Sequence, residues 1–241
     1  MEASNCLILL AVTKARAERG NDMATILITG ANRGIGLELV RQHAARGDDV
    51  IAVCRHSSPE LESLGVRVIG SVDVTSEQSV AGLSSALEGA QLDRLVNNAG
   101  ILARDSLDEL DFEAIERQFQ VNSIGPLRIT QALRHNLSAG SKVFMITSRM
   151  GSIDDNTSGG YYGYRMSKAA VNIAGKSLSV DLKGAGVAVI QLHPGYVSTD
   201  MTSHQGTPVQ QAASGLIARM DELGIEQTGT FWHQEGYALP W

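Results

Sequence analysis

Tyr164 and Lys168 lie four residues apart and form the pair with the clearest chemical potential in this chain of 241 residues. Residues at positions i and i+4 share one face of a helix, so both side chains can reach a single cleft. The ordinary pKa of tyrosine is about 10, and a nearby ammonium group favours the phenolate and lowers that pKa. The pair therefore predicts a general acid and base that works near neutral pH. Taken alone, this spacing is weak evidence for an acid–base pair, because many helices carry the same two residues on a solvated face.

Three further polar features strengthen this interpretation. Ser148 follows the apolar run at 142–147, and its hydroxyl could donate a hydrogen bond to a substrate carbonyl. The segment 97–100, Asn-Asn-Ala-Gly, follows another apolar run. Open α/β sheets place their sites at the carboxyl ends of the strands, so both features are expected at one edge of a sheet. Asn122 lies inside a long helical pattern, where asparagine is unfavourable, and this indicates a specific hydrogen bond or a local kink.

A glycine-rich loop, Thr-Gly-Ala-Asn-Arg-Gly-Ile-Gly at 29–36, directly follows the first apolar run. Gly30 permits a tight turn, while Gly34 and Gly36 let the backbone approach a pyrophosphate and let the next helix pack close to the sheet. The N-terminus of that helix offers unpaired N–H groups to the phosphates. Strand, glycine turn and helix in this order predict a dinucleotide site rather than an ordinary turn.

The end of the second apolar run distinguishes NAD from NADP. An acidic residue there would bind the ribose hydroxyls of NAD. Arg55 stands at this point instead, and no carboxylate follows before Glu60. Arg33, in the glycine loop, is a second cation nearby, and a guanidinium group binds phosphate through paired hydrogen bonds. The sequence therefore predicts a preference for NADP(H) over NAD(H); the alternative is that Arg55 is a solvated surface cation.

The apolar pattern supplies the elements that must position these residues. Short runs rich in β-branched residues predict strands that are buried on both faces, at 25–29, 50–54, 66–69, 94–96, 142–147 and 187–192, with an edge strand at 229–232. Helical patterns lie between them at 35–46, 76–87, 112–136 and 164–183. This alternation predicts a single α/β domain with a Rossmann-type, doubly wound parallel β-sheet and helices on both faces. We place the domain at residues 23–241 and expect residues 1–22 to be a flexible N-terminal extension.

Composition excludes several classes of function. The net charge of -6 argues against a nucleic-acid binder, which usually presents a basic face. The two cysteines, Cys6 and Cys54, form no CxxC pair, and no HExxH motif occurs, so we expect neither a disulfide framework nor a metal site. The longest apolar run, 6–12, is far too short to cross a membrane, and residues 1–22 make a poor signal peptide. We therefore expect a cytoplasmic protein with no membrane partner.

Together, these motifs resemble those of the short-chain dehydrogenase/reductase family, and the resemblance extends from Thr25 nearly to the end of the chain. The matching positions are 29–36, Asp73 and Val74, 97–100, Asn122, Ser148, 164–168, and Pro194 and Gly195. The stretch from Ser148 to Lys168, the segment 193–201 and the short C-terminus further resemble the C-factor-like and carbonyl-reductase-like subgroup.

The resemblance implies a role for each matching residue. Tyr164 would be the general acid in reduction and the base in oxidation. Lys168 would lower its pKa and hold the nicotinamide ribose, and Ser148 would orient the substrate carbonyl. Asn122 would hold a water that relays protons between Lys168 and solvent. The implied cofactor contacts are Gly30, Asn32, Arg33, Gly34, Ile35, Gly36, Arg55, Asp73, Val74, Asn98, Ala99, Gly100, Tyr164, Lys168, Pro194, Gly195, Val197 and Thr199.

Two departures from the family pattern concern the substrate side. Ser148 and Tyr164 are 16 residues apart, which expands the loop between them. Tyr161 and Tyr162, in that loop, are either substrate-pocket or packing residues. The segment that usually covers the substrate, about 201–209, is short, and this favours an open cleft and a permissive carbonyl substrate.

The leading interpretation is an NADPH-dependent oxidoreductase that reduces an aldehyde or ketone to an alcohol. The alternative is a cofactor-binding signalling or regulatory protein of the same fold with little turnover, and an assay with a simple aldehyde would separate the two. Epimerases and dehydratases of the family tend to carry a larger C-terminal substrate domain, for which 241 residues leave barely enough room. The resemblance also implies a homodimer or homotetramer through helices 112–136 and 164–183, although some carbonyl reductases of this family are monomers.

Overall fold

The computed structural model describes residues 23–241, so the predicted extension at 1–22 lies outside the described residues. The described residues form a seven-stranded sheet in the order β3-β2-β1-β4-β5-β6-β7. Every neighbouring pair in it is parallel. The strands are β1 (Thr25–Thr29), β2 (Asp49–Val53), β3 (Arg67–Ile69), β4 (Arg94–Asn97), β5 (Lys142–Ile146), β6 (Ala188–His193) and β7 (Phe231–His233).

Helices connect the strands and cover both faces of the sheet. They are α1 (Gly34–Ala45), α2 (Pro59–Glu62), α3 (Glu77–Ala86), α4 (Phe112–Phe119), α5 (Gly125–Ala132), α6 (Tyr162–Asp181) and α7 (Val209–Glu222). No helix in the described part of the chain is both long and apolar enough to cross a membrane.

Alternating residues of the strands contribute to two separate apolar cores, one on each face of the sheet. In β1, Ile26 and Ile28 join the core beneath α1 and α7, whereas Leu27 joins the core on the other face, beneath α3, α5 and α6. Successive side chains of a strand point to opposite faces, so a sheet covered on both sides must be apolar at nearly every position. This confirms the predicted single α/β domain with a doubly wound parallel sheet.

The predicted helix at 112–136 is divided in the structure. A π-helical turn, Gln120–Ile124, separates α4 from α5, and a short 3₁₀ turn, Arg134–Asn136, ends the segment. Pro126 explains the break, because it has no N–H to donate to the carbonyl oxygen of Asn122 four residues earlier. The chain instead widens, and the amide of Gly125 donates to the carbonyl oxygen of Gln120, five residues back.

Helix α7 has no counterpart among the predicted helices. Its buried residues, which recur at the helical period, are Ala212, Ala213, Leu216, Ile217 and Met220. The pattern was therefore present in the sequence, but the two alanines give it little apolar contrast. Helix α7 packs beside α1 and completes one face of the sheet.

Candidate active site

A cleft of about 1650 Å³ opens at the carboxyl edge of the sheet. Pockets for drug-sized ligands usually measure about 300–1,000 Å³, so this one has room for a dinucleotide and a small substrate together. Every predicted cofactor contact lines it, as do Ser148, Tyr164 and Lys168. Of the predicted site residues, only Asn122 lies behind the cleft wall.

The glycines of the loop after β1 serve packing as well as ligand access. A Cβ atom on Gly36 would clash with the carbonyl oxygen of Gly30 and would lie 2.5 Å from Nδ2 of Asn98. Gly34 differs, because its φ is +54° and a Cβ atom there would meet only the side chain of Thr199, at 3.5 Å. The backbone at Gly34 therefore stays open enough for a ligand to approach.

The hydroxyl of Thr29 joins the glycine loop to the end of β4. Its Oγ1 accepts hydrogen bonds from the amides of Asn98 (3.0 Å) and Ala99 (3.1 Å). In return, Nδ2 of Asn98 donates to the carbonyl oxygens of Thr29 (2.9 Å) and Gly30 (3.2 Å). Thr29, the first residue of the glycine motif, therefore has a structural role that its local sequence does not indicate.

At the end of the cleft beside β2, Arg55 is exposed, lines the cleft and makes no ion pair within the described residues. Asp73 accepts hydrogen bonds from the amide (2.9 Å) and hydroxyl (2.7 Å) of Thr75. These bonds, together with the charges of Arg55 and Arg117, lower the pKa of Asp73 and keep it ionised. The carbonyl oxygen of Val74 accepts from Arg128 at 2.9 Å, which fixes the backbone at this end.

Arg33 has a partner that the sequence did not reveal. Its Nη1 donates to Oδ2 of Asp200 at 3.2 Å, although both side chains are largely exposed. Arg33 still lines the cleft, but Arg55 is the better placed of the two to meet a phosphate group without losing an ion pair.

Ser148, Tyr164 and Lys168 are buried together at the other end of the cleft. Nζ of Lys168 lies 5.7 Å from the centroid of the Tyr164 ring and donates to the carbonyl oxygen of Ile146 at 3.0 Å. Helix α6 places both residues on one face, as the spacing predicted.

The electrostatics of this group differ from the expectation. Burial raises the pKa of Tyr164 to about 12, and a side-chain hydrogen bond with Ser148 lowers it only in part. Burial also lowers the pKa of Lys168 to about 8. For both residues, the largest cause of the pKa shift is the cost of removing the charged form from water. Tyr164 is therefore held protonated at neutral pH, which suits a proton donor.

Asn122 occupies the π-helical turn, and its side chain is fully engaged. Its Oδ1 accepts from the amide of Ile101 at 2.8 Å, and its Nδ2 donates to the carbonyl oxygen of Ile101 at 2.8 Å. Nδ2 also donates to Oγ of Ser167 at 3.0 Å. The side chain thus clamps the strand-end loop against α6. The main-chain carbonyl of Asn122 has no α-helical donor, because Pro126, four residues later, lacks an N–H.

Distant residues hold the expanded loop between Ser148 and Tyr164. The carboxylate of Asp105 accepts from the amides of Tyr162 and Gly163 at the start of α6. The carbonyl oxygen of Trp241 accepts from the amides of Ile153 (2.9 Å) and Asp154 (3.1 Å). Tyr161 lines the cleft, whereas Tyr162 does not. None of these contacts leaves a local signal in the sequence.

The segment expected to cover the substrate is short. Val197 and Thr207 form an isolated bridge, and the amide of Ser198 donates to the carbonyl oxygen of Thr207 at 2.9 Å. Between these residues the chain makes only a 3₁₀ turn, Asp200–Thr202, and a tight return. The cleft therefore has no long cover on this side.

Comparison with known proteins agrees with this geometry. The family described as short chain dehydrogenase matches residues 24–210. A 1-hydroxy-2-glutathionyl-2-methyl-3-butene dehydrogenase from Rhodococcus sp. (strain AD45) is 44% identical over 226 residues, which cover 91% of this chain and 100% of that protein. The C-signal protein of Myxococcus xanthus is 42% identical over 154 residues, which cover 62% of this chain and 93% of that protein.

A solved structure shows the same fold. The NADPH-bound carbonyl reductase from chicken fatty liver superposes with a TM-score of 0.82 at 28% identity, covering 92% of this chain and 100% of that one. The family match, the relatives and the parallel sheet agree with the motif resemblance: the chain belongs to the short-chain dehydrogenase/reductase family, among relatives that include C-signal and carbonyl reductases.

Proposed function

We propose that this oxidoreductase reduces an aldehyde or ketone to an alcohol with NADPH. The observation that carries the proposal is the burial of Ser148, Tyr164 and Lys168 together, at one end of a cleft whose other end presents Arg55. The solved neighbour from chicken is a carbonyl reductase with bound NADPH, which supports the same chemistry.

The residues of the cleft fit a nicotinamide dinucleotide. Gly34 leaves its backbone open, the N-terminus of α1 faces the cleft, and Arg55 is a cation without an ion pair among the described residues. When bound, the cofactor supplies the hydride. Arg55 would hold the 2′-phosphate, Asp73 would accept from the adenine, and Pro194, Gly195, Val197 and Thr199 would surround the nicotinamide.

In the proposed reaction, Tyr164 donates the proton. Ser148 donates a hydrogen bond to the substrate carbonyl oxygen and holds it beside the tyrosine hydroxyl. Tyr164, protonated at neutral pH because of its raised pKa, then gives its proton to that oxygen as the alcohol forms. The Lys168 ammonium stabilises the phenolate that remains, since an opposite charge nearby favours the ionised form.

Reprotonation of Tyr164 requires a path to solvent. The main-chain carbonyl of Asn122 lacks an α-helical donor because of Pro126, so it can accept a hydrogen bond from a water near Lys168. Gly100 lies beside both residues, since a Cβ atom there would lie 3.3 Å from Oδ1 of Asn122 and 3.7 Å from Nζ of Lys168. In this role Asn122 is a positioning residue.

We also infer a homodimer or homotetramer. Phe112 of α4 and Ile173 and Val180 of α6 are more than 60% exposed, which is unusual for large apolar side chains on packed helices. An isologous contact between two copies of this helix pair would cover them.

A substrate panel tests the proposed function. The chain should oxidise NADPH in the presence of aldehydes, ketones or quinones, with a lower rate for NADH in parallel assays. Tight NADPH binding without turnover of any panel member would contradict the reductase assignment and favour the signalling alternative.

A further inference from the structure

His193 lies next to the catalytic residues but has no part in the acid–base chemistry above. It is the last residue of β6, at the carboxyl edge of the sheet. The register pairs Ile146 of β5 with Leu192, so His193 is level with the residue that precedes Ser148. Its side chain lines the same cleft as Ser148 and Tyr164.

The imidazole of His193 makes no hydrogen bond within the described part of the chain. Its Nδ1 is fully buried and has no partner. Most buried polar side-chain atoms do have a partner, and a missing one requires an explanation. Because no protein group fixes the tautomer, Nε2 at the tip of the ring can act as a donor or as an acceptor.

Neighbouring aromatic rings hold this imidazole in place. The ring of His233 meets it edge-on, with centroids 5.1 Å apart and planes at 65°. His233 in turn stacks on Tyr237, with centroids 4.6 Å apart, and its Nδ1 accepts the amide hydrogen of Glu235 at 3.2 Å. His193 is therefore a preorganised group rather than a freely rotating one.

The ring is also uncharged. Burial lowers the pKa of His193 to about 3, with further contributions from His233, Arg149 and Lys168. A neutral imidazole offers one donor and one acceptor and no net charge. It suits a neutral oxygen function better than a carboxylate.

We propose that His193 is a specificity-determining residue whose Nε2 hydrogen-bonds a second oxygen, a ketone or hydroxyl, on the carbon next to the reacting carbonyl. The favoured substrates are then α-dicarbonyl and α-hydroxycarbonyl compounds rather than plain aldehydes and ketones. This inference rests on the proposed function, since Ser148 and Tyr164 must hold the reacting carbonyl.

Two substrates of equal chain length test it, 2,3-hexanedione and hexanal, each assayed with NADPH. His193→Leu should lower kcat/KM for the dione about tenfold, mainly through KM, because one hydrogen bond is lost. The same variant should change kcat/KM for hexanal less than about threefold, since this aldehyde has no second oxygen to bind. Comparing each variant with the wild type on the same substrate removes the intrinsic reactivity of the two carbonyls.

Two amide variants separate hydrogen bonding from packing. The amide of His193→Gln lies near the former Nε2 and should restore part of the preference for the dione. The amide of His193→Asn lies near the former Nδ1 and should not. Should the leucine variant fail to fold, as judged by its melting temperature and NADPH affinity, the contrast between the two amides decides the question.

Equal losses on both substrates, or no loss on the dione, would overturn the role of His193 and leave the reductase assignment standing. Wild-type protein that binds NADPH but reduces neither compound nor any other carbonyl would overturn the proposed function itself.

Discussion

The guanidinium of Arg33 donates to Asp200, with Nη1 3.2 Å from Oδ2, and so ties the glycine loop to the short segment after Val197. Asp200→Asn should release Arg33 toward the 2′-phosphate. We expect up to about fivefold tighter NADPH binding, because exposed ion pairs are worth at most about 1 kcal/mol. NADH binding should not change. Fluorescence titration of both cofactors checks this, with Glu222→Gln, which removes the ion pair of Arg219 and Glu222 outside the cleft, as the control.

Arg55→Asp should shift cofactor preference toward NADH. Loss of a charge-assisted hydrogen bond, worth about 1.5–3 kcal/mol, predicts about 10- to 100-fold weaker NADPH use. Steady-state kinetics with both cofactors measures the ratio of their kcat/KM values. Arg134→Asp makes the same change of charge on an exposed residue outside the cleft, and it should leave the ratio unaltered. An unchanged ratio in Arg55→Asp would show that this arginine is only a solvated cation.

Tyr164→Phe should abolish turnover while NADPH binding survives. The variant loses the proton donor, and general acid–base catalysis contributes about 10²- to 10⁴-fold. Stopped-flow or steady-state NADPH oxidation measures the loss, and fluorescence measures binding. Tyr162→Phe, whose ring does not line the cleft, is the matched control. Activity near the wild-type level in Tyr164→Phe would remove the tyrosine from the mechanism.

Lys168 should make the stability of the protein depend on pH. Its pKa falls from the ordinary 10.5 to about 8 on folding. Between these values the unfolded chain binds a proton that the folded chain does not, so stability rises with pH there and is lost as pH falls toward 8. The slope is at most about 1.4 kcal/mol per pH unit. Urea unfolding between pH 8 and 10 should show this slope in the wild type and a smaller one in Lys168→Met; parallel curves would contradict the shift.

Ile173→Glu should convert the inferred oligomer to monomers. Ile173 is 64% exposed, so the substitution places a charge in the contact between copies without disturbing the core. Light scattering after gel filtration measures the mass. Leu107→Glu, at a residue 72% exposed outside the two helices, should leave the mass unchanged. A wild-type chain that already runs as a monomer would contradict the inferred assembly.

Much of the fold was predictable because the strands carry their own signal. In a sheet covered on both faces, each strand is a short β-branched run, and the predicted strand ends agree with the structure within two residues. Helix α7 was not predicted, because Ala212 and Ala213 are small and weaken the apolar periodicity of the segment. The division of the predicted helix 112–136 was not predicted either, because it depends on one missing N–H, at Pro126.

In the site too, the local motifs could be predicted from the sequence, whereas the contacts between distant residues could not. The predicted cofactor contacts lie together in one cleft because each motif follows a strand at the same edge of the sheet. The capping of α6 by Asp105 joins residues 57 and 58 positions apart, and the pairing of Arg33 with Asp200 spans 167. The raised pKa of Tyr164 could not be predicted either, since it results from burial, and burial depends on the whole fold.

The interlock of Thr29, Gly36 and Asn98 bears on how the chain can be engineered. Two motifs almost 70 residues apart share hydrogen bonds and a contact too tight for any side chain at Gly36. Grafting the glycine loop from a relative would therefore bring only half of an interdependent unit. In a working chimera, residues 29–36 and 97–100 must be exchanged together. The two motifs therefore behave as a single unit for sequence exchange.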